Sequence, residues 1–281
     1  MAQSSTYVLD VTAQIIGSQP PEIIAEEHNC CIVLYRKHQA RRIVKKFRLR
    51  RVNHTEARAS LESAALGWRT VENHPNVNRL IGLAYWRDDP LPSIVTWYMG
   101  PTLMEYLRMT PTNEVHKFAM LFGVADALAF MHGHNPPILH TNVKAANIVV
   151  DNAGNALLTD ISIHEAIIQS NADSSVRWRA PERALNTAPL THHTYTKECD
   201  CWSMGMTIYE VMFQRKPYAE IQDDVQVPIW MNQGHLPSLP QGLSKNFKKL
   251  LFGCWVVAPQ ERFRMGSIAN YLRLLGDTAR S

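Results

Sequence analysis

The hydrophobic periodicity changes character near residue 100, and this change constrains the fold more than any other feature of the chain. Before it, short runs of strand character dominate: CIVLY at 31–35, RRIVKKF at 41–47, RLIGLAYW at 79–86 and SIVTWYM at 93–99. β-Branched and aromatic residues crowd these runs, as half-buried strands require. One helical segment interrupts them, TEARASLESAALGWRTVE at 55–72, with Ala59, Leu61, Ala64, Ala65 and Trp68 on its apolar face. After residue 100 the period becomes helical. EVHKFAMLFGVADALAFMHG at 114–133 sets Val115, Phe118, Phe122, Ala125 and Ala129 on one stripe, and Leu121, Val124, Leu128 and Met131 on the next. So wide an apolar face suits a helix in the middle of a lobe. A second apolar helix is predicted over CDCWSMGMTIYEVMF at 199–213. Between the two helices, NIVV-DNAGN-ALLTD at 147–160 predicts a β-hairpin from its paired apolar runs and Asp/Asn/Gly turn. The expectation is an α+β chain of two lobes: an N-terminal extension over 1–19, a β-rich part with one helix over 20–99, and a mainly α-helical part over 100–281.

With 281 residues, 46% of them hydrophobic and 19% charged, the chain can bury a large core. No apolar run approaches the roughly 20 residues that cross a bilayer. The start, MAQSSTYVLDVTAQII, has neither the basic residues nor the continuous apolar stretch of a secretory signal. Five cysteines without paired spacing suggest neither a disulfide framework nor a zinc site. A reducing compartment is expected, cytoplasmic with the nucleus as the alternative. Net charge is +4, but nine of the sixteen residues in RKHQARRIVKKFRLRR, 36–51, are Lys or Arg. Two readings stay open there: an anion-binding or nuclear-localisation patch, or a strand with solvated basic flanks. Ile43, Phe47 and Leu49, apolar at even spacing, favour the strand.

The hairpin carries the chemistry. Its first strand begins at Asn147 and its second ends at Asp160, so an amide oxygen and a carboxylate meet at one end. Two such oxygens suit Mg²⁺, which takes one or two protein oxygens together with phosphate oxygens. Lys144, just before Asn147, can meet a phosphate as a point charge.

At these residues the chain resembles the protein kinase family. His140-Thr141-Asn142, Lys144 and Asn147 are similar to the catalytic loop, and Asp160-Ile161-Ser162 stands where the metal-binding Asp-Phe-Gly belongs. Arg177-Trp178-Arg179-Ala180-Pro181-Glu182 resembles the end of an activation segment. Asp200-Cys201-Trp202-Ser203-Met204-Gly205 resembles the start of the large central helix. Cys254-Trp255, Pro259 and Arg262 match a late motif, whose Arg pairs in the family with the residue matching Glu182. His74-Pro75-Asn76-Val77 resembles the turn after the αC helix. The likeness covers residues 20–275, and its last motifs point to tyrosine-kinase and tyrosine-kinase-like domains. It implies one bilobal kinase domain, with ATP and Mg²⁺ as the cofactors if any bind. Implied metal ligands are Asn147 and Asp160; implied nucleotide contacts are Lys45, Thr96, Met99, Lys144 and Asp160. Thr96 is then the gatekeeper and 97–99 the hinge.

The chain departs from the family where phosphate chemistry is done. The glycine-loop positions fall at Glu27, Asn29 and Ile32, and Glu26 and Glu27 add repulsion. Glycines there let peptide N–H groups approach phosphate, and none remains. Lys45 is the expected phosphate-binding lysine of its strand, with Lys46 as the one-residue alternative, and Ile43 is expected to narrow the adenine pocket. Counting back from Trp68 puts Ala64 where a helix Glu should sit, while Glu62 faces elsewhere. Asn142 replaces the base, and an amide cannot accept a proton near neutral pH. Thr141 replaces the Arg that receives an activation-segment phosphate, so phosphate on Ser170, Ser174 or Ser175 loses its usual receptor, with Arg177 and Arg179 nearby. Ser162 replaces a hinge glycine. The resemblance with these losses implies a pseudokinase: a scaffold or allosteric module with impaired ATP binding and phosphotransfer. Its partner is expected to be a protein, such as another kinase or signalling protein, rather than nucleic acid. Weak phosphotransfer to Ser, Thr or Tyr is the alternative, and polyanion binding through 36–51 the third reading.

Overall fold

The computed structural model describes residues 9–15, 20–26, 30–37, 39–49, 53–164, 175–184 and 195–280. Five antiparallel strands form the amino-terminal sheet: β1 (Glu22–Glu26), β2 (Cys30–Lys37), β3 (Ala40–Phe47), β4 (Leu80–Ala84) and β5 (Ser93–Trp97), in the order β1-β2-β3-β5-β4. Helix α2 (His54–Val71) begins at an Asn53 cap, whose side chain accepts from the Thr55 and Glu56 N–H groups. Its buried face is Ala57, Leu61, Ala64, Ala65, Trp68 and Val71. Ala59, expected on that face, is exposed. The helix starts at His54, and the 3.6-residue period from Leu61 reaches back to Ala57 rather than Ala59.

Alternation along β3 decides what each side chain meets. Ile43 pairs across with Leu34 and Thr96, and Lys45 with Ile32 and Ile94, so these six share one face. Val44, opposite Val33 and Val95, points the other way. On that second face Val44, Ala84 and Val95 pack with Val11 and Ile15, both fully buried. Residues 9–15, part of the predicted extension, therefore strap the outer face of the sheet; Thr12–Ile15 form the short helix α1. The strap also pairs with the edge strand: Leu83 N–H donates to the Leu9 carbonyl at 3.0 Å and Val11 N–H to the Leu83 carbonyl at 2.9 Å. Tyr85 N–H donates to Thr12 Oγ1 at 2.7 Å. An edge that would otherwise offer free peptide groups is thus covered. Gly82 makes room for it, since a Cβ there would lie 2.3 Å from the Leu9 carbonyl oxygen. Gly82→Ala is expected to lower stability by about 1–3 kcal/mol through this overlap, read as a fall in denaturant midpoint at constant m.

Within the basic stretch 36–51, residues 36–37 and 40–47 are β-strand, and most of its described cations have partners. Arg36 pairs with Glu22 at 3.0 Å, Arg48 with Glu26 at 3.1 Å, Lys45 with Asp160 and Lys46 with Asp89. Arg41 lies over the Tyr98 ring and Arg42 over Trp97.

The second part is helical: α3 (Leu103–Met109), α4 (Glu114–His132), α5 (Pro181–Ala184), α6 (Lys197–Phe213), α7 (Gln226–Asn232), α8 (Lys245–Cys254) and α9 (Met265–Arg280). The expected hairpin is β6 (Ile148–Val150) against β7 (Ala156–Leu158), in antiparallel register. Asp151 closes its turn by accepting from Ala153 N–H and Asn155 N–H, and Gly154 takes φ +83°, a left-handed conformation suited to glycine. α4 and α6 sit in the core, burying Leu121, Val124, Leu128 and Met131 against Met204, Ile208 and Val211. Arg262 grips Glu182 with two parallel bonds of 2.6 and 2.7 Å, which is the pairing implied by the resemblance. All five cysteines are buried. Among the described residues, no helix is long and apolar enough to cross a membrane, and no cluster of His, Cys, Asp or Glu could hold a metal on its own.

Candidate active site

Between the sheet and the helical part lies a cleft of about 530 Å³, within the usual ~300–1,000 Å³ range of small-molecule sites. The six same-facing residues Ile32, Leu34, Ile43, Lys45, Ile94 and Thr96 line one wall. Ala146, Asn147, Val149, Thr159 and Asp160 line the other, and Trp97–Thr102 run along the connecting edge. Ile43 forms wall without closing the cleft, so the expected narrowing leaves a site of full size. Met99 N–H and C=O make no hydrogen bond among the described residues, whereas Tyr98 N–H donates to the Arg41 carbonyl.

Strand alternation separates the two candidate lysines. Lys45 enters the cleft, with Nζ 2.6 Å from Asp160 Oδ2. Lys46 leaves on the opposite face, bonded to Asp89 at 3.0 Å and over the Trp86 ring. No helix carboxylate joins the Lys45–Asp160 pair among the described residues. Spacing from Trp68 gives Ala64, a buried alanine. Glu62 is held elsewhere, by Arg58 Nε at 3.1 Å and the Tyr85 hydroxyl at 3.0 Å. Burial, followed by that bond to Glu62, pushes the Tyr85 hydroxyl up to about 12.

The loop at 140–147 is anchored from below by Asp200 at the head of α6. Its carboxylate accepts from His140 N–H at 2.8 Å, Thr141 N–H at 2.9 Å and the His132 ring at 3.0 Å. Burial alone would raise this carboxyl, but these donors hold it below the usual range. Burial likewise pushes His140 down, toward the neutral ring. At the hairpin, Asn147 Nδ2 donates to the Asn142 carbonyl at 2.8 Å, which leaves Oδ1 as the acceptor, and Thr159 N–H donates to the Asn147 carbonyl. The structure thus brings Lys45, Thr96, Met99, Asn147 and Asp160 to one cleft. Asn142 and Lys144 do not line it. Lys144 donates to Ser175 Oγ at 3.0 Å, and Asn142 lines a small neighbouring pocket of about 10 Å³ with Ser175, Trp178 and Arg179.

Asp160 and Ser162 both take left-handed backbone, φ 61° and 59°, as does Thr141 at φ 70°. For Ser and Thr this conformation costs on the order of 1–2 kcal/mol. Ser162 offsets part of it, since its hydroxyl donates to the Leu139 carbonyl at 2.5 Å. Ser162→Ala keeps the strained backbone and loses that bond, with an expected cost of about 1 kcal/mol in a thermal melt. Glu27, Asn29, Ser170 and Ser174 lie outside the described residues. Ser175 is buried against Lys144, which does not present it as a phosphate acceptor. Arg177 is no receptor either: its fully buried guanidinium is spent on Asp224 at 2.6 Å and on the Tyr218 and Ile221 carbonyls.

Sequence reasoning missed the roles of two polar residues beside the loop. Ser175 gives no sign in the sequence that it holds Lys144. Glu210 does, as the lone acid in the apolar run TIYEVMF. It accepts from Ala145 N–H at 3.0 Å and Trp178 Nε1 at 2.9 Å, and burial pushes its carboxyl up to about 7.

A bilobal fold with this cleft, loop and hairpin defines the class, and comparison with known proteins agrees. A family model described as protein tyrosine and serine/threonine kinase matches residues 29–272. The chain belongs to that family. It is 27% identical over 83% of its length to a putative serine/threonine-protein kinase/receptor of Acanthamoeba polyphaga mimivirus, covering 14% of that protein. A probable serine/threonine-protein kinase of Dictyostelium discoideum is 25% identical over 71% of the chain, which covers 15% of it. Mitogen-activated protein kinase kinase kinase 7 of Drosophila melanogaster is 25% identical over 71% of the chain, which covers 29% of it. The chain therefore spans less than a third of the length of each of these relatives.

Proposed function

We propose that this chain is a kinase-fold signalling module with impaired phosphotransfer, which acts on a protein partner, such as another kinase or signalling protein, as a scaffold or allosteric element. The observation that carries this reading is the direct Lys45–Asp160 pair, 2.6 Å long, beside a helix that offers alanine where a third, acidic member is needed. Without a helix carboxylate to hold it, the ammonium neutralises the carboxylate that a metal ion would use. Asn142 compounds the defect, because loss of a general base costs about 10²–10⁴-fold in rate.

The residues present still fit Mg·ATP in part. Bound ATP would supply the transferable phosphoryl group. Met99 has a free peptide edge for a planar base, Lys45 a charge for phosphate, and Asn147 Oδ1 with the Asp160 carboxylate two hard oxygens for Mg²⁺. That partial fit supports a second reading, weak ATP-dependent transfer to Ser, Thr or Tyr, since phosphoryl transfer relies on positioning and electrostatics.

A thermal-shift titration with ATP, with and without Mg²⁺, tests the cleft. Stabilisation of about 2.7 kcal/mol is expected at 100 times Kd, and Lys45→Met is expected to reduce it where Lys46→Met does not. No shift at millimolar ATP removes both the nucleotide cleft and the weak-kinase reading. Polyanion binding gains little from the paired cations of 36–51, and salt-insensitive retention on a polyanion column would remove it.

A further inference from the structure

The strap at 9–15 is held by little. Val11 and Ile15 are buried and Thr12 is half-buried, while Leu9, Asp10, Ala13 and Gln14 are exposed. The two buried side chains enter a small apolar cluster with Val44, Ala84 and Val95, and that cluster is separate from the main core. A satellite cluster of this size can open locally while the core beneath it stays closed. A mere cover for the outer face and the β4 edge would need only these two side chains and the backbone hydrogen bonds to Leu83. The strap makes two further attachments that such a cover does not require.

The first runs to α2. Tyr85 is gripped at both ends: its N–H donates to Thr12 Oγ1 at 2.7 Å, and its hydroxyl donates to Glu62 at 3.0 Å. Asp10 sets Thr12 up for this, since its Oδ1 accepts from the Thr12 hydroxyl at 2.5 Å and from the Thr12 N–H at 2.9 Å. The hydroxyl proton is spent on Asp10, far closer than the Tyr85 carbonyl at 3.5 Å, so an oxygen lone pair is left for the Tyr85 N–H. On α2, Arg58 completes the grip by bonding Glu62 at 3.1 Å and covering the Tyr85 ring at 4.8 Å. The second attachment runs to the connecting edge of the cleft. The Gln14 carbonyl accepts from Arg42, whose guanidinium lies over the ring of Trp97, its partner across β3 and β5, at 5.7 Å. One short segment is thus linked through Tyr85 to α2 and through Arg42 to the residue where the connecting edge begins.

We propose that residues 9–15 are a detachable strap whose docking sets the order of α2 and of the connecting edge. Docked, the strap fixes the backbone of Tyr85 while the Tyr85 side chain holds α2. Released, it strips the Tyr85 N–H and the Leu83 peptide groups of their partners, and α2 and the connecting edge loosen while the helical part keeps its order. Any partner that takes up Val11 and Ile15 then acts on the cleft from the opposite face of the sheet. This goes beyond the signalling-module reading and holds whether or not the cleft takes a nucleotide.

Amide hydrogen exchange on the full chain reads both ends of the device at once. Val11→Ser removes one apolar anchor, Thr12→Val removes the hydroxyl and keeps the shape, and Tyr85→Phe cuts the relay beyond the strap. In the first two variants the Leu83 amide, bonded to Leu9, is expected to exchange about tenfold faster than in wild type. The α2 amides and the Tyr98 amide are expected to follow by about three- to tenfold, with those of α6 and α9 unchanged. Tyr85→Phe is expected to speed exchange in α2 while Leu83 stays protected. Fast exchange at Leu83 with wild-type protection in α2 reduces the strap to a cover and overturns the coupling. Leu83 protected in both strap variants means that the strap does not detach, which overturns the proposal as well. Equal acceleration in α6 and α9 means global loosening and contradicts it too. Thr12→Val carries the test if Val11→Ser fails to fold.

Discussion

Replacing Arg262 by Ala is expected to destabilise the protein by about 3–5 kcal/mol, the usual consequence of breaking a buried ion pair from one side. The Arg262 side chain is fully buried, makes two short bonds to Glu182, and also donates to the Val256 and Glu198 carbonyls. Its guanidinium lies over the Trp202 ring at 5.0 Å. Truncation leaves the Glu182 carboxylate and three carbonyls, of Val256, Glu198 and Val257, without this donor and removes packing from the head of α6, where Asp200 anchors the 140–147 loop. Arg262→Lys should recover only part of the loss, because an ammonium cannot reproduce the parallel pair of bonds. Denaturant midpoints at unchanged m report both variants. A loss under 1 kcal/mol for the alanine variant would mean the pair is dispensable.

The second large effect depends on pH and belongs to Glu210. Its carboxyl titrates at about 7 in the fold instead of 4.5, because it is buried, so the folded state holds the proton more tightly than the unfolded chain. The contribution of this group to stability is therefore complete below pH 4.5 and declines as pH rises through 7, by about 3 kcal/mol in all. His140 works with the opposite sign: burial lowers its affinity for a proton, so its contribution is lost as pH falls below the ordinary range of His. Glu210→Gln keeps an acceptor for Ala145 N–H and Trp178 Nε1 but cannot ionise. The difference in unfolding free energy between wild type and Glu210→Gln isolates the group. It is expected to change by most of that 3 kcal/mol between pH 5 and 8, with wild type losing relative to the variant. A pH-independent difference contradicts the burial account.

The fold was legible because its signals are local. Period-2 runs gave four of the five sheet strands, a 3.6-residue period gave α2, α4 and α6, and turn residues gave the hairpin that sets Asn147 beside Asp160. What escaped depends on contacts distant in sequence. Lys45 and Lys46 are chemically the same, and only the packing of Val44 against the strap at 9–15 turns Lys45 into the cleft. The strap is too short to announce itself; the burial of Val11 and Ile15 is decided by packing and hydrogen bonds to a sheet strand some seventy residues on. The same holds for β1 (Glu22–Glu26), a short exposed edge strand. At the site, the substitutions at Asn142, Thr141 and Ser162 were readable from the residue types alone. The lysine paired straight to Asp160, beside a helix that offers alanine instead of a carboxylate, needed positions 115 residues apart to meet.

The central claim is that the cleft outlives the reaction, and radiolabelled phosphotransfer from γ-labelled ATP with Mg²⁺ addresses it most directly. Purified wild-type protein is expected to transfer no more phosphate to itself or to a generic protein substrate than Asp160→Ala does. Sustained Mg²⁺-dependent transfer by the wild type, abolished in Asp160→Ala, would contradict it.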